Sequence, residues 1–235
     1  MADTLTNKIL RRIKRVLLKK RPLFGLLLPL QPVSRAFGSD RGLPIDRYYI
    51  EKFLEENRDA IRGDVLEAGD PRYTNQFGSG VRTADILHLT GRDAKATLAG
   101  DLSRPETLPE NRYDCFLCTQ TFHYIFDLEK GVLGARRLLK PGGILLATLP
   151  AVSRKSVSEK DAWTDYWRFT SASAKRIFEK GFGAANVEVR ARGNVLAAAA
   201  FLYGFAAEEI SRKKLNHQDP DYEMLITVKA RKEKI

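Results

Sequence analysis

Four stretches of this chain place carboxylates, hydroxyls and glycines where a strand runs into a turn. In Asp64-Val65-Leu66-Glu67-Ala68-Gly69-Asp70 a short apolar strand ends in Glu67 and then Gly69. Glycine permits close backbone approach, and the carboxyl ends of strands are where open α/β sheets bind ligands. Gly100-Asp101-Leu102, the run from Tyr113 to Thr121, and Leu138-Leu139-Lys140-Pro141-Gly142-Gly143 follow at regular intervals. Together they point to a nucleoside-bearing cofactor lying across strand ends. For proton transfer the candidates are His123, four residues past Thr119, and then Asp165; such a base needs a pKa near the working pH. Trp163, Tyr166 and Trp167 are dense enough either to form a stacking wall for a sugar or to belong to the core.

The elements that must position these groups alternate. Pro44 suits the first turn of a helix running to about Ile61. Strands are predicted near 63–68, 84–89, 95–100 and 113–119. A helix from Asp127 to Leu139 is closed by Pro141-Gly142-Gly143, and a strand follows at 144–149. Thr170 or Ser171 caps a helix to Lys180, with Gly181 as its stop signal. Strands near 186–192 and 223–230 flank a long apolar helix from about Val195 to Arg212. The 69–84 and 90–95 connections lack helical periodicity or length, so loops or a single helical turn are expected there. This order predicts a three-layer α/β fold with a mostly parallel sheet and an antiparallel final strand.

A chain of 235 residues that is 43% hydrophobic suits one globular domain with an appended segment. Its two cysteines form no disulfide framework, which favours a reducing, cytoplasmic setting. Cys115 and Cys118 lie inside an apolar strand, where residues three apart face opposite ways. Core packing is expected for both, and no metal site.

The net charge of +11 is uneven. Residues 1–41 hold ten Lys/Arg against Asp3 and Asp40, so the remainder carries only +3. The basic character belongs to an arm, residues 1–38, ahead of a domain at 39–235. Within the arm Leu5, Ile9, Leu10, Ile13, Val16 and Leu17 recur at helical spacing with Lys and Arg opposite, a basic amphipathic helix. Residues 5–30 therefore either dock on an anionic membrane surface, each cation adding about 1 kcal/mol near the lipid, or pack on the domain or a protein partner. The apolar stretch at 23–30 is too short to cross a bilayer.

In order and spacing, Glu67-x-Gly69, Gly100-Asp101-Leu102, Tyr113-Asp114-Cys115-Phe116 leading to Thr119-Gln120-Thr121, and Leu139-Lys140-Pro141-Gly142-Gly143 resemble the class I S-adenosylmethionine-dependent methyltransferases. Asp165-Tyr166-Trp167-Arg168-Phe169-Thr170 and Arg41-Gly42-Leu43-Pro44-Ile45-Asp46-Arg47-Tyr48-Tyr49 further resemble a bacterial subgroup, type 11-like, associated with glycan and polysaccharide biosynthesis. The resemblance spans roughly residues 39–230. It implies a Rossmann-like methyltransferase sheet and S-adenosylmethionine as cofactor. It places Glu67, Ala68 and Gly69 beside the methionine moiety, Asp101 at the adenine amino group and Leu102 against the ring. Thr119, Gln120 and Thr121 would border the sulfonium and the acceptor, and Tyr48 joins the cofactor set. An alcohol acceptor would need a base, for which His123, by position and type, and then Asp165 stay the candidates.

Two positions depart from the pattern. Asp70-Pro71 replaces the second glycine of the usual turn, shifting the expected contacts toward Arg72, Tyr73 and Thr74. No carboxylate ends the second strand; His88 stands nearest the position facing the ribose hydroxyls. The implied reaction is O-methylation of a sugar or glycan intermediate at the inner face of the membrane. The alternative is a non-catalytic module that scaffolds a membrane-associated glycosyltransferase. No Asn/Asp-Pro-Pro-aromatic follows the fourth strand, so a nucleic-acid substrate is not expected. No Gly-x-Gly-x-x-Gly follows any strand, which disfavours a nicotinamide dehydrogenase.

Overall fold

The computed structural model describes residues 29–90, 95–156 and 164–234. The predicted N-terminal helix and Trp163 lie outside the described residues. From Ser34 onward the chain forms one compact unit. Within it, residues 34–38 are fixed by the Ser34 N–H donating to the Tyr203 carbonyl at 3.3 Å and by Phe37 stacking on Phe201.

One seven-stranded sheet organises the unit, with β1 (Gly63–Ala68), β2 (Val81–His88), β3 (Leu98–Ala99), β4 (Tyr113–Thr119), β5 (Leu139–Pro150), β6 (Val187–Arg192) and β7 (Leu225–Arg231). Their spatial order is β3-β2-β1-β4-β5-β7-β6. β3, β2, β1, β4 and β5 run parallel, and β7 runs antiparallel to both β5 and β6. The expected Rossmann-like sheet with an antiparallel final strand is therefore present. The chain steps outward from β1 to β3 and then returns to the other side of β1 with β4. That reversal opens a crevice at the carboxyl ends of β1 and β4.

Helices cover both faces. On one side α3 (Leu128–Leu138) and α4 (Ser171–Phe182) pack with Leu66, Phe116, Cys118 and Leu145. On the other, α1 (Ile45–Glu56), α2 (Arg72–Phe77) and α5 (Val195–Tyr203) pack with Val65, Cys115, Leu117 and Leu146. The central strand β4 is buried on both faces, which explains its unbroken apolar run. Cys115 and Cys118 fall in opposite layers, both free and fully buried. Burial, opposed by a hydrogen bond with Thr121, raises the Cys118 thiol to about 12, so it stays protonated.

Several boundaries differ from expectation. α1 ends at Glu56, and a separate 3-10 turn (Arg58–Ala60) finishes the segment. α4 runs through Gly181 to Phe182, because Gly183, at φ +84°, supplies the stop. Thr170 caps it reciprocally with Ser173. The long helix expected from Val195 breaks at Gly204, which is left-handed (φ +75°), before a 3-10 turn and the short α6 (Arg212–Asn216). Lys140 of the Pro-Gly-Gly stretch turns away from the crevice. At the opposite end of the sheet it donates to Asp64 at 2.6 Å and to Asp114 at 3.0 Å. Among the described residues, no helix is long and apolar enough to cross a membrane.

Candidate cofactor and acceptor cavity

The crevice holds a cavity of about 890 Å³. Parallel register brings its floor together: Ala68 pairs with Leu87, His88 with Ala99, and Thr119 ends β4 opposite Thr148. Glu67, Ala68, Gly69, His88, Asp101, Leu102, Thr119, Gln120 and Thr121 all line it. Gly69 has φ +88°, and a Cβ built there meets no atom within 4 Å. The backbone is therefore left-handed and bare where it faces the cavity, as close approach of a ligand requires.

Glu67 is only 2% exposed and its carboxylate is fully engaged. One oxygen accepts the Tyr73 N–H at 3.0 Å; the other accepts the Thr74 N–H and hydroxyl, both at 2.7 Å. Burial raises its pKa, opposed by these hydrogen bonds. Glu67 thus braces the first turn of α2 and shapes the cavity wall. Asp70-Pro71 takes part in the same turn: the Asp70 carboxylate accepts the Arg72 N–H at 3.0 Å, and Pro71 occupies the N-cap position of α2. This local packing accommodates the missing second glycine.

Asp101 accepts the N–H and hydroxyl of Ser103 through one oxygen, at 2.8 and 2.7 Å. Its other oxygen lies 3.9 Å from the Arg104 guanidinium. His88 Nδ1 lies 2.9 Å from the Thr90 carbonyl oxygen. Gln120 adopts φ +48°, uncommon for a residue with a side chain. Its N–H is held by the Thr148 carbonyl at 2.9 Å, so strain is stored where strand becomes site.

Four expected site residues lie elsewhere. Tyr48 donates to the Asn216 side chain at 2.8 Å, and Thr74 is consumed by Glu67. Asp165 is half-buried with its side chain 1% exposed, held by Arg168 in a bidentate pair (2.6 and 2.9 Å) and by the Ser156 N–H at 2.8 Å. Burial works against its charge, but these donors win and its pKa is lowered. His123 sits in a 3-10 turn (Phe122–Tyr124), its ring packed on Tyr124 and its Nδ1 buried without a partner. Burial depresses its pKa to about 4, too low for the general base that its position suggests. Asp85, nearer the start of β2's second half, is also turned away and binds Thr97, Arg112 and Tyr113.

The His123 environment makes a prediction. A histidine pKa lower folded than unfolded gives stability that is complete above about 6.5 and lost as pH falls toward about 4. Denaturant titrations at pH 7.5 and 4.5 are expected to show His123→Phe losing less stability across that interval than the parent, by on the order of 2 kcal/mol.

The remaining wall includes the expected Arg72, Tyr73 and Tyr166 and adds Arg47, Tyr124, Ile125, Phe126 and Asp127, which the sequence does not point to. Arg47, Arg72 and Tyr73 line it from α1 and α2, with Arg47 donating to the Tyr73 hydroxyl at 2.7 Å. Arg47 lies within the Arg-Tyr-Tyr stretch already singled out, so that signal was misplaced by one residue. Tyr124, Ile125, Phe126, Asp127 and Tyr166 line it from the loops after β4 and β5. Phe126 (68% exposed) and Tyr166 (46% exposed) meet edge to face at 5.2 Å. Trp167 backs them, its indole N–H donating to the Ile125 carbonyl at 3.0 Å. Nothing in sequence separates these exposed aromatics from core ones. Among the described residues no cluster of His, Cys, Asp or Glu is arranged to hold a metal ion.

A family model described as a methyltransferase domain matches residues 82–147. No curated protein sequence matches the chain. Among solved structures, a Haloferax volcanii complex of the Trm112 methyltransferase activator and a candidate methyltransferase is similar, at 16% identity and TM-score 0.52, over 85% of this chain and 96% of that one. So is a candidate sarcosine dimethylglycine methyltransferase of Galdieria sulphuraria, at 14% identity and TM-score 0.50, over 80% and 88%. The (4+2)-cyclase SpnF aligns at 14% identity and TM-score 0.50, over 83% and 85%. Such identities establish the fold, and the cyclase shows that this fold is not tied to one reaction name. The matched segment spans β2 to most of β5, and so includes His88, Asp101 and Thr119 to Thr121. Family segment, Rossmann-like methyltransferase fold and strand-end cavity together support an S-adenosylmethionine-dependent methyltransferase with S-adenosylmethionine as its cofactor.

Proposed function

We propose that this chain is an O-methyltransferase acting on a sugar or glycan intermediate. The observation that carries the reading is a single cavity lined by two chemically different sets of groups: glycine, carboxylate and arginine from the ends of β1 to β3 and α1 and α2, and exposed aromatics from the loops after β4 and β5. When bound, the cofactor supplies an electrophilic methyl group on a sulfonium. On this reading Gly69 admits the methionine portion, with Arg47 and Arg72 near its carboxylate. His88 faces the ribose, and Asp101 and Leu102 hold the adenine. Thr119, Gln120 and Thr121 border the sulfonium and the acceptor.

Phe126 and Tyr166 offer the acceptor flat apolar surface beside the Tyr124 ring. Flat aromatic faces beside a few polar groups suit the alternating C–H and O–H surface of a sugar. Fixing donor and acceptor in line accounts for much of the rate in a direct displacement. With His123 and Asp165 outside the cavity, Asp127 is the lining carboxylate on the acceptor side and takes the proton role.

Mass-spectrometric detection of methyl transfer to a panel of sugars, nucleotide sugars and glycans tests this directly. Phe126→Ala is expected to raise the acceptor KM about tenfold or more, as befits the loss of a large aromatic contact, with cofactor affinity unchanged. Asp127→Asn is expected to lower kcat, since asparagine still caps α3 but cannot take a proton. Transfer only to amines or carboxylates overturns the sugar assignment.

The scaffolding alternative draws on one observation, that neither of the expected bases reaches the cavity. It predicts that Asp101→Ala leaves binding to a glycosyltransferase partner intact, whereas an enzyme with that change loses cofactor affinity. In either reading the basic segment 5–30 is proposed to hold the protein at an anionic membrane or at that partner.

A further inference from the structure

The apolar helix α5 has no polar side. Ala197, Ala200 and Phe201 are buried against the domain, while Val195 (54% exposed), Leu196 (38%) and Leu202 (47%) face outward. At 100° per residue these three fall on one arc with the half-buried Ala198, Ala199 and Tyr203. The outward face is therefore apolar over its whole width, which a solvated surface helix avoids.

Cations border it. Asn194 at the start of α5 donates to the carbonyls of Lys214 and His217 at 2.8 and 2.7 Å, fixing α6 beside Val195 and Leu196. Arg212, Lys213 and Lys214 of α6 are exposed, and no carboxylate among the described residues pairs with them. The acids of the intervening turn are engaged: Glu208 accepts the Leu43 N–H, and Glu209 pairs with Arg41. At its other end, α5 receives the Ser34 N–H on the Tyr203 carbonyl.

We infer that α5 and α6 form a second, domain-borne docking surface for an anionic lipid bilayer. In it Val195, Leu196 and Leu202 enter the headgroup region, and the α6 cations meet lipid phosphates. An apolar face flanked by Lys and Arg is the chemistry that such an interface selects. The arm and α6 are both cationic, and an anionic surface attracts both. The inference does not depend on methyl transfer.

Co-sedimentation of the full chain with phosphatidylcholine vesicles, with and without phosphatidylglycerol, tests it. Binding is expected only with the anionic lipid. It should fall about tenfold or more in Leu196→Glu/Leu202→Glu and in Lys213→Glu/Lys214→Glu, given about 1 kcal/mol per cation at the surface. Unchanged thermal melting of each variant confirms folding, and two variants on separate elements guard against one that misfolds. Vesicle binding equal to the parent in both variants overturns the inference and leaves the arm as the sole anchor. Absence of vesicle binding, with self-association lost in Leu196→Glu/Leu202→Glu, overturns it in favour of a second copy of this chain.

Discussion

Replacing Glu67 by alanine is expected to cost the protein about 3 kcal/mol and to abolish cofactor binding. The carboxylate accepts three hydrogen bonds in a nearly dry site, from the Tyr73 and Thr74 N–H groups and the Thr74 hydroxyl. Truncation leaves those donors unpaired, and a buried unsatisfied polar group costs about 1–3 kcal/mol. The first turn of α2 then loses its brace, and the wall formed by Arg72 and Tyr73 moves with it. Glu67→Gln keeps the volume but sets an amide NH2 against one of the donors, so its loss should be intermediate. Denaturant unfolding that ranks parent, Gln and Ala in that order supports the brace. Equal stability of all three contradicts it.

Gly69→Val should act on binding at least as strongly as on folding. The left-handed backbone at φ +88° charges any side chain a strain of about 1–3 kcal/mol. The Cβ meets no protein atom within 4 Å, so the added bulk enters the cavity and leaves the core intact. Affinity for S-adenosylmethionine is expected to fall about a hundredfold, near 3 kcal/mol. This separates Gly69 from Glu67: one variant keeps its core and α2 brace and loses about a hundredfold in affinity, the other loses the brace and the binding together.

The fold is readable because its strands have distinct physical signatures. β4 reads as a strand, since a central parallel strand is apolar on both faces. Thr170 or Ser171 reads as a cap from residue type, and the structure selects Thr170, whose hydroxyl accepts the Ser173 N–H. Gly204 is harder to see. It follows an unbroken apolar run, and only the left-handed turn toward Ser34 makes it a stop. The start of β2 is obscured because Arg82 and Thr83 are exposed and serve Asp64.

The cavity is legible where backbone geometry alone decides it. Glu67 to Gly69, Asp101 and Thr119 to Thr121 end parallel strands, and neighbouring ends must converge. It is illegible where side-chain direction decides. His123 and Tyr124 are adjacent in one 3-10 turn, yet Tyr124 lines the cavity and His123 is buried away from it. Arg47 and Tyr48 divide in the same way on α1, with Arg47 on the cavity and Tyr48 on Asn216.

The central claim is that the crevice between β1 and β4 holds S-adenosylmethionine despite the altered Gly69-Asp70-Pro71 turn. Isothermal titration calorimetry of the full chain against S-adenosylmethionine and its demethylated product measures this most directly. The account predicts one site of micromolar affinity, about −8 kcal/mol, that disappears in Gly69→Val. No heat from the folded parent protein, or undiminished binding by Gly69→Val, contradicts it.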